Sequence, residues 1–251
     1  AGSDRVKAYV FHAKEDPVRT GMFIDLMRRH DIDVYKLEGR VRLGDKDFDG
    51  NDGGYIIPLE QQQYTMIKSV MGRVTEFEDK VFYDVSGWTL PLAYGLEYGE
   101  VTTSLRGKLG AKVSAGLLPA APTFEKAPYA YAMRWSDYEA PKALASILEA
   151  DVMARVALEP IVVETPAGPV SLDRGTVIIQ LDRQAVGSEA VHATVEQAVR
   201  ENYVHVYAVT SGLSRNVGVD LGARTSMRDL SLPRPLLVVG DSVSPYDAGE
   251  V

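Results

Sequence analysis

The chain contains no cysteine. That excludes disulfides, thiolate metal sites and any cysteine nucleophile. Long hydrophobic runs are missing too: nothing approaches the roughly 18 apolar residues of a membrane span. Positive charge is in deficit, with 27 Lys and Arg against 35 Asp and Glu and a net charge of −8. No Lys/Arg cluster offsets this in the sequence, which argues against a nucleic-acid partner, since phosphates need a basic face. What is present is ordinary for a soluble globular protein, 45% hydrophobic and 25% charged over 251 residues. That length buries a core without staples and allows one large domain or two of average size.

The sequence repeats. Tyr55-Ile-Ile-Pro-Leu-Glu-Gln-Gln-Gln63 returns as Val177-Ile-Ile-Gln-Leu-Asp-Arg-Gln-Ala185, with Ile56, Ile57, Leu59 and Gln62 matched by Ile178, Ile179, Leu181 and Gln184. Ile56 and Ile178 lie 122 residues apart, as do Ala8 and Ala130, while Gly95 and Gly218 lie 123 apart. Two similar modules with almost no net insertion between them are expected. Their bounds are 1–118 and 119–232, joined by a proline-stiffened connector over 117–128, with 233–251 as the truncated start of a third βα unit.

Hydrophobic periodicity predicts alternating strands and helices in both modules. The first module reads as strands over 6–11, 32–37, 54–59 and 81–85. One helix opens at Asp16-Pro17, an N-cap followed by proline at the first helical position. A second spans 61–71 and faces inward through Tyr64, Ile67 and Met71. The 6–11 strand is too apolar on both faces for an edge, and the Gly- and Asp-rich stretch 44–54 reads as part of a hairpin. In the second module the strands are 129–133, 155–164, 170–181 and 204–209, with one helix opening near Pro141 and another over 188–203. This alternation predicts an α/β class: two tandem modules with mainly parallel sheets flanked by helices. Leu236 to Gly240 followed by Ser244-Pro245 repeats the opening of module one and stops within two helical turns, so the sequence reads as part of a longer protein.

Few constellations point to chemistry. His12-Ala-Lys-Glu15 has the H-x-x-E spacing of a zinc site, but the repeat aligns it with Arg134 and Asp137, so no metal ligands are assigned. Ser86 follows a strand, where an elbow would expose a nucleophile, yet G-x-S-x-G is absent and Ser211 occupies the matching place. No histidine is placed beside either serine by the sequence, and a tight turn explains both. Asp241, Ser242 and Ser244 precede a helix start that could receive an anion. Gln62 and Gln184 close the paired strands on the edge where open α/β sheets bind ligands, and capping of the next helices is the preferred role.

Phe82-Tyr-Asp-Val-Ser-Gly-Trp-Thr-Leu-Pro-Leu-Ala-Tyr-Gly95 and Leu237-Val-Val-Gly-Asp-Ser-Val-Ser-Pro-Tyr-Asp-Ala-Gly-Glu250 are distinctive strings. With Tyr55-Ile-Ile-Pro-Leu and Asp173-Arg-Gly175, they resemble the region downstream of the catalytic domain in bacterial zinc carboxypeptidase (carboxypeptidase A-like) proteins. The resemblance implies a class I glutamine amidotransferase-like, flavodoxin-like fold, and a periplasmic or secreted parent whose zinc sits in its own catalytic domain. It implies partners in that domain and in peptide substrate. Where amidotransferases carry a cysteine this chain has Ser86 and Ser211, so a non-catalytic accessory region is expected, used for substrate positioning, domain packing or partner binding. The alternatives are a serine-dependent hydrolase or amidase using Ser86, and a small-ligand-binding module.

Overall fold

Strand β1 (Ala8–His12) is buried along its whole length. The computed structural model, which describes residues 5–73, 89–114, 122–213, 220–234, 236 and 240, shows why. The chain divides into two compact units, 1–121 and 122–251. In the first, β1 is followed by α1 (Pro17–Arg29), β2 (Tyr35–Leu37), β3 (Arg40–Leu43), β4 (Lys46–Asp49), β5 (Tyr55–Pro58), α2 (Tyr64–Met71), α3 (Leu90–Ala93), β6 (Glu97–Val101) and β7 (Leu109–Lys112). Five of these strands form one sheet in the order β6-β1-β5-β2-β7, with every neighbouring pair antiparallel.

The second unit repeats the plan. It runs β8 (Ala130–Met133), α4 (Ala140–Glu149), β9 (Arg155–Ala157), β10 (Ile161–Thr165), β11 (Gly168–Leu172), β12 (Val177–Gln180), α5 (Ser188–Asn202), β13 (Val206–Val209) and β14 (Met227–Asp229). Its sheet order is β13-β8-β12-β9-β14, again antiparallel throughout. Each unit is thus a split β-α-β arrangement of the ferredoxin-like kind, with a hairpin inserted before its third sheet strand.

This corrects the expected fold class. The sheets are antiparallel, not the mainly parallel sheets of an amidotransferase-like or flavodoxin-like fold. The physical reason is local. Strands β1 and β2, joined by α1, do run parallel to each other, as do β5 and β6, but each pair is separated by an antiparallel strand from the other. Strand–helix–strand alternation in sequence is the same whether such a pair is adjacent or split.

Both faces of each sheet are covered. Along β1 the side chains alternate: Tyr9 and Phe11 pack with Phe23, Ile24 and Met27 of α1 and with Ile67 and Met71 of α2. Ala8 and Val10 point the other way, to Val41 and Phe48 of the β3–β4 hairpin. In the second unit Tyr131 and Met133 meet Ile147, Val191, Val195 and Val199 of the helices, while Ala130 and Ala132 meet Ile161, Val163 and Leu172 of the β10–β11 hairpin. A strand buried on both faces needs apolar residues at every position, which explains why β1 shows no alternation of polar and apolar residues.

Local signals behave as the sequence chemistry dictates. Asp16 caps α1 by accepting a hydrogen bond from the Arg19 N–H at 3.1 Å, with Pro17 in the first turn. A Cβ on Gly50 would lie 1.9 Å from the Leu37 carbonyl oxygen, so only glycine lets the hairpin close against the end of β2. Other expectations need revision. Tyr64 is exposed, and Ile67, Val70 and Met71 are the buried face of α2. The two long strands expected over 155–164 and 170–181 are four short ones, because the chain leaves the main sheet to build the hairpin. The strand expected over 81–85 and most of 233–251 lie outside the described residues. The strand beside β1 is instead β6, and Val101 pairs with Ala8 as Val209 pairs with Ala130. Val101 and Val209 are 108 apart, against 122 for Ala8 and Ala130, so the first unit carries a real insertion before this strand.

Candidate functional site

The carboxyl end of the first strand of each unit holds an ionisable group facing the neighbouring strand. In the first unit His12 is buried, and its Nε2 lies 3.0 Å from Glu97 Oε2 on β6. Its Nδ1 is buried with no hydrogen-bond partner among the described residues. In the second unit Arg134 stands where His12 does, Asp137 where Glu15 does, and His205 where Glu97 does.

These three form a closed cluster. Asp137, 5% exposed, accepts from Arg134 Nε at 2.6 Å and from the His205 backbone N–H at 2.6 Å. His205 Nδ1 lies 3.0 Å from Asp137 Oδ2 and 3.2 Å from Arg134 Nη2. With a proton it donates to the carboxylate, and without one it accepts from the guanidinium. Burial pushes the Asp137 carboxyl up, but hydrogen bonds from the His205 ring, the His205 N–H and Arg134 outweigh it and hold the group below the ordinary aspartate value. A second buried contact joins Tyr131 OH to His192 Nδ1 at 2.5 Å, with the Ala127 N–H also donating to the hydroxyl.

Glutamine does the same kind of work in both units. Gln61 Oε1 accepts from the Asp33 N–H at 2.7 Å, and its Nε2 donates to the Asp33 carbonyl at 3.2 Å and the Pro58 carbonyl at 2.7 Å. Gln184 repeats the pattern with the Met153 N–H at 2.7 Å, the Met153 carbonyl at 3.0 Å and the Gln180 carbonyl at 2.5 Å. Each amide clamps the end of one central strand to the segment entering its neighbour. The sequence match of Gln62 with Gln184 is therefore off by one residue: Gln61 is the counterpart, and Gln62 is exposed. Neither glutamine caps a helix, since the N-cap positions are Gln63, without a side-chain cap bond, and Gly187.

Replacing Gln184 or Gln61 with alanine removes three hydrogen bonds and should cost about 1–3 kcal/mol of stability. Gln62→Ala should stay within about 0.5 kcal/mol, as expected of an exposed residue. Urea unfolding of the three variants checks this, and equal losses at positions 61 and 62 would contradict the clamp.

Ser86, Asp241, Ser242 and Ser244 lie outside the described residues. Ser211 follows β13 and accepts from the Leu213 N–H at 3.1 Å, a turn contact. Among the described residues no group of three His, Asp or Glu side chains is gathered as a metal would require, and no helix is long and apolar enough to cross a membrane. The arginine-lined cleft at the β9–β14 edge, bordered by Gln184, carries no local motif in the sequence. Its residues come from three separated segments, and only the strand pairing brings them together. No protein-family model, curated protein or solved structure matches the chain.

Proposed function

We propose that this chain is a non-catalytic accessory region of an exported zinc metallocarboxypeptidase-like protein, serving substrate positioning, domain packing or partner binding. The family part of this reading rests on the sequence strings around Phe82–Gly95 and Leu237–Glu250. Its non-catalytic part is supported by one observation: the described side chains best suited to chemistry hold the fold together. Gln61 and Gln184 clamp strands, while Asp137 is enclosed by Arg134 and His205. His192 is bound by Tyr131 inside the helix-side core. A general base must reach a substrate proton, and groups enclosed in this way are committed to the protein itself. Zinc in the parent is assigned to its own catalytic domain, and none of the residues described here is assigned to it.

Elemental analysis of the purified chain should find no stoichiometric zinc, and a fluorophosphonate probe should leave it unlabelled. One zinc per chain surviving dialysis would overturn the reading. So would labelling that disappears in Ser86→Ala, which would establish a serine hydrolase instead.

A further inference from the structure

We infer that the cleft at the β9–β14 edge of the second unit binds a compact polyanion bearing phosphate or carboxylate groups. The cleft holds about 550 Å³ and is lined by Arg155, Arg183, Arg224 and Arg228, with Asp182 and Asp229 as its carboxylates. Four arginines against two aspartates leave a local excess of two positive charges in a chain whose net charge is −8. A volume of that size suits a small molecule.

The arginines are not equivalent. Arg155 is held in place, donating to Asp229 Oδ1 at 3.0 Å and to the Leu221 and Met227 carbonyls at 3.2 and 3.4 Å. Asp229 is thereby engaged. The side chains of Arg183, Arg224 and Arg228 are exposed, and their guanidinium groups make no ion pair or hydrogen bond among the described residues. Three guanidiniums on one cleft repel one another, and an anion with several oxygens relieves that repulsion. The planar fork of arginine matches carboxylate and phosphate oxygens two at a time. Asp182 at the same rim is free to accept from a hydroxyl or amine on such a ligand.

Comparison of the two units shows that the fold does not require this charge. Tyr35 stands where Arg155 does, and Lys112 where Asp229 does, yet the first unit builds the same sheet. Arg183 is the extra residue by which the second unit's turn exceeds the first: Leu59 and Leu181 are 122 apart, but Gln61 and Gln184 are 123 apart. It adopts φ 60°, a left-handed conformation disfavoured for a residue with a side chain. The second unit has thus inserted an arginine in a disfavoured conformation at the cleft, where the first unit has none. This inference stands apart from the accessory reading, because the site would serve a catalytic parent or an independent binding protein equally.

Isothermal titration of the whole chain with tripolyphosphate and with citrate tests it. Saturable binding of one equivalent is expected for at least one of them, weakening at least tenfold when NaCl rises from 0.05 to 0.5 M, an effect in line with ionic screening. Binding of tripolyphosphate alone identifies a phosphate ligand, citrate alone a carboxylate ligand, and both a site that reads charge. The double variant Arg224→Gln/Arg228→Gln should weaken binding at least tenfold with an unchanged melting temperature in the absence of ligand. Arg200→Gln, which removes a partner of Glu196 on α5 instead, should leave it unchanged. No saturable heat with either anion, or equal weakening in the double variant and Arg200→Gln, would overturn the proposal.

Discussion

Asp137→Ala should lower the stability of the second unit by about 3–5 kcal/mol, the scale observed when one partner of a buried charge pair is removed. The carboxylate is 5% exposed and accepts from Arg134 and from the His205 backbone. Its loss removes the acceptor that the partly buried Arg134 Nε and the His205 N–H share. The pH dependence follows from the direction of its shift. A carboxyl held below its unfolded value contributes stability that is complete above the ordinary aspartate range and is lost as pH falls through the folded value. The gap between wild type and Asp137→Ala should therefore be widest near neutral pH and narrow on acidification. Urea unfolding at pH 7 and at stepwise lower pH measures it, and a gap that grows toward acid would contradict the cluster.

Phe48→Ala should cost the first unit a similar amount, about 3–5 kcal/mol, as large-to-small changes of a buried phenylalanine do. Phe48 is fully buried on β4, among Ala8, Val10, Leu37, Val41 and Ile56, where the hairpin covers the face of the sheet away from the helices. Arg42→Ala, on the exposed side of the same hairpin, should change stability by no more than about 0.5 kcal/mol. This comparison separates the observed architecture from the expected one. In a parallel sheet flanked by helices on both faces, the hairpin would be peripheral and Phe48 dispensable. Equal, small losses at Phe48 and Arg42 would sink the antiparallel arrangement with its hairpin layer.

What the sequence revealed depended on how locally each feature is encoded. The Asp16-Pro17 cap, the inward valines of α5 and the central position of β1 are each set by a few neighbouring residues, and each was legible. Strand direction was not, because the order of strands within a sheet is fixed by contacts between distant segments. The hairpins were partly visible in Gly44 to Gly54 and in Pro166 to Pro169, but their role as a second covering layer emerges only once Phe48 and Val163 are seen against the sheet. The sequence pairs Gln62 with Gln184 one position off, since a single extra residue, Arg183, shifts the repeat between Leu181 and Gln184. It suggests helix capping where Gln61 and Gln184 clamp strands. The Asp137 cluster joins residues 68 apart, and the arginine cleft joins Arg155, Arg183 and Arg228, so neither leaves a short pattern.

The claim that these polar groups support a binding or positioning role and not turnover is tested most directly by a peptidase assay on the whole purified chain. The measurement is release of the C-terminal residue from a panel of blocked dipeptides, with and without added zinc. The account predicts no release above the buffer rate in either condition. Turnover that scales with protein concentration, and that is abolished by a chelator or by Ser86→Ala, would contradict it.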